Sequence, residues 1–120
     1  MTEKKGPDAI TLTYDLLKWA LQVLKKYPKD QRYLLGDRIE AAILDVLELL
    51  IRANYSRKKL EYLREANLKL ETLRFLWRIS EEMKYISTRQ YEFVSRQINE
   101  TGKLVGGWIR HAKGKDEAAQ

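Results

Sequence analysis

Apolar residues recur along nearly the whole chain at alternating steps of three and four, and nowhere alternate at step two for long enough to make a strand. The clearest row is Tyr91, Val94, Ile98, Thr101, Val105 and Trp108, which falls on one face of a helix with about 3.6 residues per turn. It starts at Ser87-Thr88-Arg89-Gln90, a capping box: the Ser87 hydroxyl takes the third amide and Gln90 returns a bond to the Ser87 amide. The pattern predicts an end between Ile109 and Ala112. An equally regular row, Leu63, Ala66, Leu70, Leu73, Trp77 and Ser80, predicts a helix from a Ser56 cap to about Lys84, with Glu61, Glu65, Lys69 and Arg74 on other faces.

Upstream, Leu35, Ile39, Ala42, Val46, Leu49 and Ala53 form a row that Ile43, Leu47 and Leu50 widen to a second apolar face. This predicts a helix from an Asp30 cap to about Ala53. A first helix, capped by Asp8 or Thr11, carries Leu17, Ala20, Leu21 and Leu24 and runs to about Lys26. Tyr27-Pro28 stops it, because the residue before proline is pushed out of the helical region. Turns this short join antiparallel neighbours. The expected fold is therefore all-α, an antiparallel up-down-up-down four-helix bundle over residues 9–112, with a flexible lead at 1–8 and a flexible tail at 113–120. Part of helix two and some of Trp19, Tyr62, Phe75 and Phe93 are apolar surface beyond what one bundle needs, which predicts that bundles associate.

With 120 residues, 44% of them hydrophobic, the chain can bury a core of its own. It contains no cysteine, which removes disulfides, thiolate metal sites and cysteine nucleophiles from consideration. Asp45, Glu48 and Arg52 interrupt the greasiest stretch, well short of the ~20 apolar residues that span a bilayer, and Met1 to Asp8 lack the features of a secretory signal. The expectation is a cytoplasmic protein without a membrane partner.

The sequence offers little to catalysis. The Glu-x-x-His pair of di-iron bundles is absent, and acids such as Glu40, Glu48 and Glu71 read as solvated or paired with Arg38, Arg52 and Arg74. His111 is the only histidine and follows Arg110 directly, so the Arg and His four to six residues apart of certain helical ribonucleases are missing; it reads as an exposed residue near a helix C-terminus. No glycine loop suited to phosphate is present. The expectation is a protein that is not an enzyme and takes no metal or cofactor. Gly102, Gly106 and Gly107 each weaken the last helix by up to about 1 kcal/mol relative to alanine, which fits close helix approach or simple fraying.

Charge is the stronger signal. Lys and Arg outnumber Asp and Glu by 23 to 17, for a formal +6, so acidic partners are favoured. Arg89, Arg96, Lys103 and Arg110 are spaced by seven, which places them on one helical stripe roughly 30 Å long. Residues 87–115 hold six basic residues against two acids, Glu92 and Glu100. Arg74 and Arg78, one turn apart, extend the patch if helix three lies alongside. These six are the candidate binding residues for a nucleic acid or a nucleoprotein. Recognition would rest on backbone charge and shape, since no recognition-helix turn, zinc finger or aromatic sheet platform is visible.

Several phrases carry a family resemblance: Tyr14-Asp15-Leu16-Leu17-Lys18-Trp19; the run from Pro28 through Gly36-Asp37-Arg38 to Ile39; Leu63-Arg64-Glu65-Ala66-Asn67 continuing into Leu73-Arg74-Phe75-Leu76-Trp77-Arg78; and Gly106-Gly107-Trp108-Ile109. In this order and spacing the chain resembles the accessory variability determinant proteins of diversity-generating retroelements, over about residues 12–110. These belong to a four-helix-bundle group that includes proteins of ribosomal-RNA intervening sequences. The resemblance implies a homopentameric barrel of bundles, non-catalytic, that binds a dedicated reverse transcriptase and nucleic acid (template RNA, and DNA as a further possibility) during mutagenic copying. Gly36 and Arg38 match the family phrase, yet turn geometry explains them equally well. Two other readings stay open, an intervening-sequence-type bundle that binds RNA without a polymerase and a structural adaptor oligomer.

Overall fold

The computed structural model describes residues 5–119 and contains no strand among them. Four long helices, α1 (Lys5–Leu24), α2 (Asp37–Tyr55), α3 (Leu60–Glu82) and α4 (Thr88–Ala119), run up and down in a body 52 × 23 × 19 Å. Between α1 and α2 lie a short helical turn, Lys29–Gln31, and a π-helical turn, Arg32–Gly36. The order of packing is α1 on α2 and α4, and α3 on α2 and α4, which closes the expected four-helix bundle.

Each apolar row becomes the inner face of its helix. Leu63, Ala66, Leu70, Leu73, Trp77 and Ser80 are all buried, and so are Val94, Ile98, Thr101, Val105 and Trp108. Buried hydroxyls keep their donors satisfied within the helix: Thr13, Ser80 and Thr101 each donate to the carbonyl four residues earlier at 2.8 Å. In α1 the row lies partly on other residues than expected. Its buried side chains are Ala9, Thr13, Leu16, Ala20, Val23 and Leu24; Ala20 and Leu24 were expected there, while Leu21, also expected inside, is exposed.

Several expected boundaries shift. Lys5 to Asp8, placed in a flexible lead, form the first turn of α1, so neither Asp8 nor Thr11 is its cap. The cause is Trp108: its indole lies over Gly6, close enough that a Cβ there would sit 3.0 Å from Cη2, and this contact extends the helix toward the N-terminus. Residues 113–119, placed in a tail, continue α4, since no proline interrupts it and a lone Gly114 with open space around it is tolerated. Residues 1–4 and 120 lie outside the described residues.

Asp30 accepts the Gln31 amide at 3.0 Å but does not cap α2, which begins only after the π turn. That turn inserts an extra residue into the helical winding and leaves Tyr33 and Leu34 facing out. Ser56 does not cap α3 either; its hydroxyl accepts the Lys58 amide at 3.0 Å, and α3 starts at Leu60. The Ser87 box forms as read, with Gln90 N–H donating to Ser87 Oγ at 3.0 Å and Ser87 N–H to Gln90 Oε1 at 2.8 Å.

α3 stops two residues before the expected Lys84 in a Schellman turn. The Tyr85 amide reaches back to Ser80 O at 2.8 Å and the Lys84 amide to Glu81 O at 3.0 Å. Lys84 takes the left-handed position, φ 64°, that glycine would fill at least cost. Tyr85 then packs on Tyr27, ring centroids 5.4 Å apart.

The surplus apolar surface lies on part of α2, as expected, and on one of the four aromatic side chains. Trp19 and Tyr62 pack against the core, Trp19 between Trp77 (5.5 Å) and Phe93 (5.2 Å), so only Phe75 of the four aromatic side chains stays exposed. Exposed with Phe75 are Leu44 and Ile51 on α2, Leu68 and Ile79 on α3, and Met83 just past the end of α3. At helical spacing both sets lie opposite the core. They flank the ionic seam where Lys69 meets Asp45 at 3.3 Å and Arg52 meets Glu48 at 2.8 Å.

Candidate nucleic-acid interface

The four cations spaced by seven on α4, Arg89, Arg96, Lys103 and Arg110, are all exposed along one side of the helix. α3 lies against α4 in the antiparallel sense, and a groove of about 710 Å³ runs between them, lined by Asn67, Arg74, Arg96, Gln97, Asn99, Glu100, Gly102 and Lys103. Three of the six candidate residues, Arg74, Arg96 and Lys103, meet there. Arg78 is exposed on α3 outside the groove lining, and Arg89 and Arg110 lie toward the two ends of the stripe.

The six cations are not equivalent. Arg74 is half-buried; its Nε lies 2.7 Å from Glu71 Oε1, and its Nη1 donates to Asn99 Oδ1 across the helix pair. Arg78 Nε donates to Glu82 Oε2 at 3.2 Å, and Lys103 Nζ sits 3.6 Å from Glu100 Oε1. Arg89, Arg96 and Arg110 have no carboxylate within salt-bridge distance among the described residues. Exposed pairs of the first kind contribute roughly 0.2–1 kcal/mol, a weak hold that a phosphate can displace.

The acids were legible in part. Glu71 pairs with Arg74 and Glu48 with Arg52 as expected, and the Glu48 carboxylate holds the Arg52 guanidinium pKa above its usual value. The three- and four-residue spacings of Glu82 to Arg78 and Glu100 to Lys103 carried the same signal. The amides Asn67, Gln97 and Asn99 were missed, because polar residues on a helix flank have no pattern until the partner helix is placed. The glycines of α4 do not mark fraying, since the helix runs unbroken through Gly102, Gly106 and Gly107. Gly102 leaves room for Arg74, whose Nη2 would sit 3.2 Å from a Cβ there, and a Cβ at Gly106 would meet Arg110 Nη1 at 3.7 Å. His111 is exposed as expected, but α4 continues for eight residues beyond it.

Among the described residues no cluster of three or more His, Asp and Glu side chains is arranged to hold a metal, and no helix is long and apolar enough to cross a membrane. Fold and groove together define a helical scaffold that displays cations on a rigid face. A family model described as bAvd-like matches residues 9–112, and the chain belongs to that family, of the accessory variability determinant type. The resemblance read from the helical phrases is thus borne out. Neither a curated protein nor a solved structure matches the chain.

Proposed function

We propose that the protein is the non-catalytic accessory subunit of a diversity-generating retroelement, and that it binds the reverse transcriptase and the nucleic acid being copied. The observation that carries this reading, beside the family, is the exposed row Arg89, Arg96, Lys103 and Arg110 with its α3 groove. At about 1.5 Å per residue it matches several phosphates of an extended backbone. The groove cations are unspecific in chemistry, which suits a partner recognised by charge and shape.

The exposed apolar rows on α2 and α3 support self-association, and we propose the homopentameric barrel of the family. Five chains of formal charge +6 would carry about +30, which multiplies weak contacts by avidity. The cytoplasm is the compartment that fits these partners.

Co-purification of the tagged protein with the genomically adjacent reverse transcriptase, at moderate salt and with nuclease, tests the proposal. A nuclease-resistant complex lost on reversal of Arg89, Arg96 and Arg110 to Glu is the expected result. Salt-sensitive RNA retention without the polymerase would overturn it in favour of an intervening-sequence-type bundle. A light-scattering mass near that of one chain would overturn the pentamer.

A further inference from the structure

The end of the bundle where α2 hands over to α3 has a second cationic surface that the stripe does not include. We infer that the α2–α3 loop binds single-stranded nucleic acid, with Tyr55 stacking on a base and Arg57, Lys58 and Arg64 taking the flanking phosphates. The inference rests on the nucleic-acid reading above and adds a site to it.

Three observations converge. Tyr55, the last residue of α2, is 85% exposed, the most open of the large apolar side chains among the described residues. The loop that follows is fixed: Lys59 Nζ donates to Ala53 O at 2.7 Å and to Ser56 O at 2.8 Å, closing the last turn of α2, and Ser56 Oγ accepts the Lys58 amide at 3.0 Å. Lys59 is thereby turned to the backbone, while Arg57, Lys58 and Arg64 are exposed with no carboxylate in salt-bridge distance among the described residues. Residues 55–64 contain four cations and one acid, Glu61.

The register of α3 on α4 adds Arg110. Arg74 bonds Asn99, so Arg64, ten residues back, and Arg110, eleven residues on, lie at about the same level, some 15 Å from that contact. The groove cations Arg74 and Lys103 are partly neutralised by Glu71 and Glu100, whereas Arg57, Lys58, Arg64 and Arg110 make no ion pair among the described residues. An aromatic face held among free cations is the arrangement that engages an unpaired base and its phosphates; a duplex offers the phosphates but no base to stack.

The test is fluorescence anisotropy with a labelled single-stranded oligouridylate of about 12 nucleotides and with a duplex of equal length. Tyr55→Ala is expected to weaken single-strand binding about tenfold and to leave duplex binding unchanged, while Tyr55→Phe keeps both. The double change Arg57→Glu and Lys58→Glu is expected to weaken both ligands and to flatten the salt dependence. Unchanged single-strand affinity in Tyr55→Ala, with binding still lost on reversal of Arg96 and Lys103, would overturn the loop site and leave the groove standing. Absence of any binding by the unmodified protein would overturn both.

Discussion

Arg74 is the side chain that ties α3 to α4 over the groove: its Nη1 donates to Asn99 Oδ1 while Glu71 on its own helix holds its Nε at 2.7 Å. Glu71 thus competes with any phosphate for the same guanidinium. Glu71→Gln is expected to raise nucleic-acid affinity by a few-fold at low salt, and Arg74→Ala to lower it by a similar factor, each read in filter binding with circular dichroism unchanged. Equal affinity in all three proteins would remove Arg74 from the interface.

Two glycines with opposite surroundings predict opposite outcomes. At Gly6 a methyl group would meet Trp108 ring carbons at 3.0 Å, and that ring is buried and cannot swing away. Gly6→Ala should lower the thermal midpoint, with a cost in the ~1–3 kcal/mol range of overpacking. At Gly102 the neighbour is the flexible end of Arg74, 3.2 Å away. Gly102→Ala should stabilise α4 by up to about 1 kcal/mol and weaken binding in the groove, because the methyl group displaces the guanidinium. Thermal melts of both variants, with a binding curve for the second, check the pair.

Lys84 occupies the left-handed position of the α3 Schellman turn. A side chain there costs roughly 1–2 kcal/mol that glycine avoids, offset in part by the greater freedom of glycine in the unfolded chain. Lys84→Gly is expected to raise stability by about 1 kcal/mol in urea unfolding. A decrease would mean that the lysine side chain makes a contact of its own.

Tyr27 sets a limit at high pH. Its hydroxyl is buried without a hydrogen-bond partner, and burial pushes its pKa from 10.0 up to about 12, the neighbouring Ser80 hydroxyl, committed to Leu76 O, offsetting this only in part. Between pH 10 and 12 the unfolded chain has released this proton while the folded chain still holds it. Stability is therefore fully present below pH 10 and falls as pH rises through that window, by up to about 1.4 kcal/mol per unit. Tyr27→Phe should remove this component of the slope at no cost at neutral pH, since it deletes an unpaired polar atom. Denaturant midpoints of both proteins at pH 9 and 11 decide it.

The sequence by itself determined four helices, their antiparallel order, the buried rows of α3 and α4 and the capping box at Ser87, because helical period and capping are local properties that a few consecutive residues encode. The stripe of α4 was legible for the same reason, since a seven-residue spacing keeps side chains on one face whatever packs nearby. Only the tertiary structure decided where α1 begins, for the Trp108 contact that lengthens it joins residues about a hundred positions apart. It also decided which cations meet. Arg74 and Arg96 share a groove, and Arg64 lies level with Arg110, because the register of two antiparallel helices brings together residues that no periodicity within either one relates. The partial burial of Trp19, Tyr62 and Phe93 depended likewise on the facing helix, whereas Phe75, of the same chemical kind, was left to solvent.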